Sequence, residues 1–386
     1  MGASPERTRG RCYVHARGRF VMKPDGLCFY NNDGHYLESI AKLFEELQVG
    51  GFLITPGDLE YESASQYTFR FESPTVTFDC WPSGRGTWSF VKRLLHLRGH
   101  LKHTDTVLAM GPTVGCFLTL LLAPAKARRI LYSGIAFTPS GILGPLTRRL
   151  ESVALRRSHA VLCTGKHLQE EFLRRGARHV ECTVPLLNLQ TSVLDQPPPR
   201  ERRSVEHLLC VGHLGPRKRQ QDLLAAGRLL LERTGSCPVI HLVGRGDLEG
   251  FRDANKETIE LLGSRLVLHG HISDPEVLAG LYRQADALVI CSLAEGFPRV
   301  VYEALLHGVP VISTPLPGLT ADFTDGQDML FFPFGNPQRL ADCIAGLGHD
   351  PDRLNSIVER NRVFITSRLS RTPVEQLAAI LEMPCQ

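Results

Sequence analysis

Residues 292–310 read Ser-Leu-Ala-Glu-Gly-Phe-Pro-Arg-Val-Val-Tyr-Glu-Ala-Leu-Leu-His-Gly-Val-Pro. The run before them, Ala287–Cys291, is apolar and strand-like. Arg299–His307 repeats apolar residues at helical spacing, and Pro310–Ser313 is strand-like again. Proline at 298 suits the first helical position, where its missing N–H would lack a partner anyway. The N–H groups of Arg299 and Val300 then face the crevice at the strand's carboxyl end. There open α/β sheets bind ligands, and a helix N-terminus takes phosphate oxygens. Glu303, in the second turn, is within reach of a ribose diol, and Glu295 in the loop is placed to accept hydrogen bonds from a sugar.

Upstream the same alternation continues: strand Leu208–Gly212, helix Gln220–Arg233, strand Val239–Val243, strand Val267–His269, helix Glu276–Gln284. Strands alternating with amphipathic helices indicate a parallel sheet with crossover helices. Lys218 follows one strand and precedes a helix, the position of a phosphate contact. The turn Val243-Gly244-Arg245-Gly246-Asp247-Leu248-Glu249-Gly250 passes for a dinucleotide-binding motif. Its third Gly is one residue late, and no carboxylate closes a second strand to take an adenosine ribose, which argues against a dehydrogenase.

The first half follows the same plan. Leu27–Tyr30 reads as a strand, Asn31–Gly34 as a polar loop and Tyr36–Leu47 as a helix; Val107–Met110, Arg129–Tyr132 and Ala160–Cys163 read as further strands. Pro197-Pro198-Pro199 fits neither a helix nor an inner strand, so Leu186–Ser204 reads as the linker between two domains.

Composition agrees with two globular domains. The chain has 386 residues, is 43% hydrophobic and 22% charged, and carries a net charge of +4, which gives no nucleic-acid signature. Residues 1–200 hold 25 Lys+Arg against 17 Asp+Glu, and residues 201–386 hold 19 against 23. The basic half is suited to anionic lipids or an anionic acceptor, or is simply a solvated surface. Eleven scattered cysteines without a CxxC pair read as reduced thiols of a cytosolic protein. Met1–Lys23 lacks the apolar core of a secretory signal. Thr106–Ala125 is uncharged over twenty residues, but its Gly111-Pro112 and Pro124 favour a buried strand, a turn and a core helix over a membrane span. The loop Trp81–Trp88 (WPSGRGTW) offers aromatic faces to a sugar or aglycone.

Glu295 and Glu303 within EGFPRVVYEALLHGVPVIST resemble the signature of retaining glycosyltransferases of family four. The resemblance extends to Val211-Gly212-His213-Leu214-Gly215-Pro216-Arg217-Lys218, to Leu268-His269-Gly270-His271-Ile272, to Leu281–Asp286 and to Pro317-Gly318-Leu319. It implies an α/β chain of the GT-B fold, with two doubly wound Rossmann-like domains facing a cleft. The expected division is 1–24 as an N-terminal tail, 25–190 as the acceptor-side domain and 191–204 as linker. Residues 205–365 would form the nucleotide-sugar domain, and 366–386 a C-terminal helix packing back on the first domain.

The implied activity is transfer of a sugar, with retention, from a nucleoside-diphosphate sugar (a UDP-sugar by preference) to a hydroxyl acceptor. The expected alternative is an inactive GT-B protein that binds nucleotide sugar or glycan as a regulator. The implied catalytic set is Glu295, Lys218 and His213, where the family has Arg. The implied donor contacts are Gly212, Lys218, His269, His271, Glu295, Gly296, Phe297, Pro298, Arg299, Val300 and Glu303. On the acceptor side stand Gly34, His35 and Ser133, the last replacing a common His. No metal or cofactor is expected, since Lys218 and the helix take the place of a divalent cation; Asp322–Asp328 reads as an acidic loop. Expected partners are the donor and a small-molecule, lipid-linked or glycan acceptor, with peripheral membrane contact through the basic half and no nucleic acid. The expected location is the cytoplasm or the inner membrane surface.

Overall fold

The computed structural model describes residues 10–24, 26–54, 67–82, 87–138, 143–185 and 205–384. The expected linker 186–204 and residues 83–86 of the 81–88 loop lie outside them. The chain forms two compact units, Met1–Asn188 with Arg371–Gln386, and Leu189–Ser370.

In the first unit ten strands make one sheet: β1 (Arg11–His15), β2 (Phe20–Lys23), β3 (Gly26–Tyr30), β4 (Glu46–Ile54), β5 (Tyr67–Phe69), β6 (Val76–Pro82), β7 (Thr106–Met110), β8 (Arg128–Ser133), β9 (Ala160–Cys163) and β10 (Val180–Cys182). Their order is β10-β9-β8-β7-β1-β4-β2-β3-β5, with β6 also on β4. The body of the sheet is parallel, whereas β2 and β3 form an antiparallel hairpin. Along β1, Cys12 and Val14 join one apolar cluster and Tyr13 the other, as strand alternation requires of a sheet buried on both faces.

Three expectations change here. Residues 11–23 are not tail: β1 lies mid-sheet between β4 and β7, and its buried CYVH run had been masked by flanking arginines. Leu27–Tyr30 is a strand, but a hairpin arm rather than a parallel strand. The helix begins at Asn31, not Tyr36, and runs to Ala41. Asp33 in its first turn is fully buried and accepts from Arg17 Nη2 at 2.9 Å. Gly34 is pressed beneath Phe69, whose ring a Cβ would strike.

The last helix, Pro373–Glu382, starts with a reciprocal Thr372–Glu375 capping box and belongs to the first unit. Its Leu377, Ile380 and Leu381 enter the core with Leu37 and Phe44. Arg128 Nη1 donates to the carbonyls of Ile380 (3.2 Å) and Met383 (2.6 Å). The expected break at 366 falls inside the preceding helix, Pro351–Leu369.

The second unit holds six parallel strands: β11 (His207–Val211), β12 (Val239–Val243), β13 (Leu266–Gly270), β14 (Ala287–Ile290), β15 (Val311–Ser313) and β16 (Leu330–Phe331). Their order is β13-β12-β11-β14-β15-β16. The chain builds outward from β11 on one side and then returns to its other side with β14. Between β11 and β14 the strand order reverses, the switch point at which such sheets hold ligands. Among the described residues no helix is long and apolar enough to cross a membrane. Thr106–Ala125 resolves into β7 and the helix Val114–Leu122.

Candidate functional site

The loops after β11 and β14 meet at that switch point. Leu293 N donates to Arg217 O at 2.8 Å, tying one loop to the other. Across this tie Lys218 Nζ lies 2.5 Å from Glu295 Oε1. Ser292 Oγ also donates to Oε1, at 2.5 Å, and its own carbonyl accepts from Thr314 Oγ1 at 2.6 Å. Lys218 and Glu295 are one-fifth exposed or less, so their attraction is only partly screened. Oε1 is thus occupied twice.

The helix Arg299–Leu306 opens beside this pair. Pro298 is its N-cap rather than its first residue, and no side chain caps the helix, so the first N–H groups stay open. Phe297 is buried against Tyr302, which anchors the turn. Arg299 points to solvent. Glu303 Oε2 accepts from Tyr282 OH at 2.7 Å, and Tyr282 stacks on His307, 5.4 Å between centroids. That phenol holds the carboxylate in one orientation.

Glycines explain how the loops come so close. A Cβ on Gly244 would lie 1.8 Å from Gly212 O, and one on Gly246, at φ +139°, 2.6 Å from Leu214 O. Gly244-Arg245-Gly246 therefore packs against the preceding loop instead of cradling a dinucleotide. His213 is exposed, and its carbonyl accepts from Gln220 Nε2 at 2.9 Å.

The structure brings Gly212, His213, Lys218, Glu295, Gly296, Phe297, Pro298, Arg299, Val300 and Glu303 to this one edge. His269 and His271 stand at the end of β13, two strands from β11 and on the order of 10 Å away. His269 Nε2 is 3.0 Å from His241 Nδ1. His271 accepts from Arg245 Nη2 at 2.6 Å; burial and then that cation lower its pKa. The nearby thiols are not nucleophiles: burial raises Cys210 to about 12 and Cys291 well above its ordinary value. In the acidic loop Asp322 pairs with Arg368 at 2.7 Å, while Asp325 and Asp328 accept backbone N–H bonds.

The first-unit candidates are less assembled. Ser133 is buried and donates to Ile135 O at 2.7 Å, while His35 is exposed with its ring edge on Phe69. The residue missed there is His15, at the carboxyl end of β1, where β1 and β7 form that sheet's switch point. Its Nδ1 lies 2.6 Å from Thr119 Oγ1, and that hydroxyl donates to Gly115 O. Nδ1 therefore carries the proton and Nε2 a lone pair. Burial, outweighing the opposing pull of Asp79, lowers the imidazole to about 4. Ser292, Tyr282 and Gln220 were also missed, since nothing in a sequence shows which hydroxyl or amide will orient a carboxylate or carbonyl.

Residues 205–350 match the family model "Glycosyl transferases group 1". A 153-residue stretch is 33% identical to a D-inositol 3-phosphate glycosyltransferase of Corynebacterium urealyticum, spanning 39% of this chain and 36% of that protein. A 190-residue stretch is 29% identical to a glycogen synthase of Mycobacterium tuberculosis, spanning 49% and 45%. The matched region is thus less than half the length of either relative. Over the whole chain the structure is similar to that of Anabaena HepE in complex with UDP, with a TM-score of 0.67 at 17% identity, covering 96% of this chain and 98% of that one. The similarity to the glycosyl transferases group 1 family thus covers residues 205–350, in a chain with the GT-B fold of two Rossmann-like units.

Proposed function

We propose that this protein is a retaining glycosyltransferase that moves a sugar from a nucleoside-diphosphate sugar to a hydroxyl acceptor without a metal at the transfer site. The observation that carries the reading is the Lys218–Glu295 pair beside an uncapped helix N-terminus, with Glu303 one turn on. Departure of the diphosphate develops negative charge. Lys218 and the N–H groups of Arg299 and Val300 are fixed donors for it and need little reorganisation. When donor binds, Lys218 exchanges Glu295 for phosphate, and Glu295 turns to the sugar hydroxyls. Glu303, steadied by Tyr282, accepts from the ribose. The leaving phosphate assists deprotonation of the acceptor, so no enzymic nucleophile is assigned.

UDP is the favoured nucleotide because the similar HepE structure holds it. The acceptor is a small molecule, a lipid-linked sugar or a glycan, and His15 is assigned to its contact. Arg128, Arg129, Arg156, Arg157 and Arg178 line a cavity of about 400 Å3 in the first unit, with no carboxylate in its lining among the described residues, which supports peripheral contact with anionic lipid. Retention on anionic vesicles at low but not high salt tests that contact; equal retention on neutral vesicles would refute it.

The test of function is a panel of nucleotide sugars with the purified chain in chelator, following nucleotide release, with Glu303→Ala beside it. Release of one nucleoside diphosphate, strongly reduced in the variant at donor concentrations below saturation, supports the proposal and names the donor. Tight binding without release under any acceptor favours the inactive regulator. No binding of any nucleotide sugar defeats both.

A further inference from the structure

Away from the transfer site, the first unit gathers two histidines and a carboxylate. Asp79 lies on β6 and is 5% exposed. His96 and His100 lie one turn apart on the helix Thr87–Leu101, their rings 4.4 Å between centroids. One ligand atom from each of the three lies within 4.8 Å of the other two.

The surroundings hold these groups in place. Asp79 Oδ2 accepts from Tyr13 OH at 2.7 Å and from Trp81 Nε1 at 3.0 Å, so the carboxylate cannot rotate. Tyr13 reaches it across Gly50, the residue paired with Asp79 on β4, where a Cβ would fall 2.0 Å from the phenol oxygen. The other oxygen, Oδ1, faces His96 Nε2 at 2.8 Å. His100 Nδ1 lies 3.0 Å from Gln48 Oε1. A carbonyl oxygen only accepts, so His100 holds its proton on Nδ1 and offers Nε2. A ligating histidine tied through its second nitrogen to an acceptor, and a ligating carboxylate pinned by other donors, are the outer-shell pattern of metal sites. Burial alone would raise the Asp79 carboxyl, but its bonds from Trp81, His96 and Tyr13 outweigh it and keep the group ionised.

We propose that Asp79, His96 and His100 form a site for a divalent transition metal, zinc by ligand chemistry, with a water as fourth ligand. Two imidazoles and one carboxylate suit zinc, whereas calcium and magnesium prefer oxygen ligands. The ion would clamp the helix Thr87–Leu101 to β6. This departs from the expectation that the chain takes no metal, but it leaves the donor site in the second unit metal-free.

The test uses the full chain stripped with chelator and titrated with Co2+, then Zn2+. The readouts are the visible ligand-field absorption of Co2+ and quenching of tryptophan fluorescence, Trp81 being bonded to the proposed ligand. The expected result is one equivalent of Co2+ with tetrahedral-type absorption, displaced by Zn2+. Affinity should fall at least about 100-fold in His96→Ala and in His100→Ala, and about 10-fold in Gln48→Ala. Circular dichroism and UDP binding of the variants, whose changes lie in the first unit, report that each is folded. Binding below half an equivalent overturns the proposal. So does binding that persists in both histidine variants, or an octahedral Co2+ spectrum unchanged by them; the cluster is then a hydrogen-bond network only.

Discussion

Glu295 Oε1 accepts from Lys218 and Ser292 together, and in the proposed reaction the lysine leaves this carboxylate for phosphate. Lys218→Ala removes one fixed donor to the departing diphosphate. We expect kcat to fall roughly 100- to 1000-fold, with a smaller change in KM, measured by steady-state nucleotide release. At Glu303 the expected effect is mainly on binding: Glu303→Ala should raise KM for the donor about 10- to 100-fold, the loss of charge-assisted hydrogen bonds to a diol. Tyr282→Phe, which only frees that carboxylate, should raise KM by a few-fold. An equal loss of kcat and unchanged KM in both variants would place Glu303 elsewhere in the reaction.

The loop carrying Lys218 and the loop after β12 are held together by backbone contact at glycine. Gly244→Ala places a methyl on Gly212 O, which cannot move without pulling the site apart. Its expected cost is about 2 to 3 kcal/mol in denaturant unfolding of the second unit, together with weaker UDP binding. Strands β11 to β15 of the second unit were legible because they are short apolar runs between strong punctuation, such as Gly212, Gly235 and Pro310, whereas β16 and the helices Pro337–His349 and Pro351–Leu369 were not read. The placement of Lys218, Glu295 and Glu303 at one sheet edge was legible for a related reason: each stands at a fixed offset from a strand end or helix start. The first unit was harder. Its central strand β1 is five residues flanked by arginines, and charge density suggested a tail. Asn31-Asn32-Asp33-Gly34 looked like a loop because only tertiary contacts, Arg17 on Asp33 and Phe69 on Gly34, make a helix start tolerable there. His15 was lost with β1, for a switch point exists only once strand order is known.

At the scale of the molecule, the chain enters the first unit, builds the second and returns to the first with Pro373–Glu382. Leu377→Ala should cost about 2 to 4 kcal/mol in the unfolding of the first unit and leave the second unit's transition unmoved. Acid should act on both units. His15 and His241 are each 8% exposed, and burial, the largest influence on each, lowers both to about 4 from an ordinary 6.5. Below pH 6.5 the unfolded chain takes up protons that the folded one refuses. Stability is therefore full above 6.5, falls as pH drops toward 4 and levels off below, by about 3 kcal/mol per histidine. Calorimetry across that range should show the slope, and His15→Gln should flatten the first unit's share alone.

The central claim is that the edge between β11 and β14 binds a nucleoside diphosphate through Lys218, Glu303 and a helix N-terminus. Isothermal titration of UDP into the full chain in excess chelator tests it most directly, with Lys218→Ala and Glu303→Ala titrated alongside. The account predicts one site, undiminished by chelator and weakened at least about 10-fold in each variant. Absence of UDP binding, binding that appears only with added divalent cation, or equal affinity in both variants would contradict it.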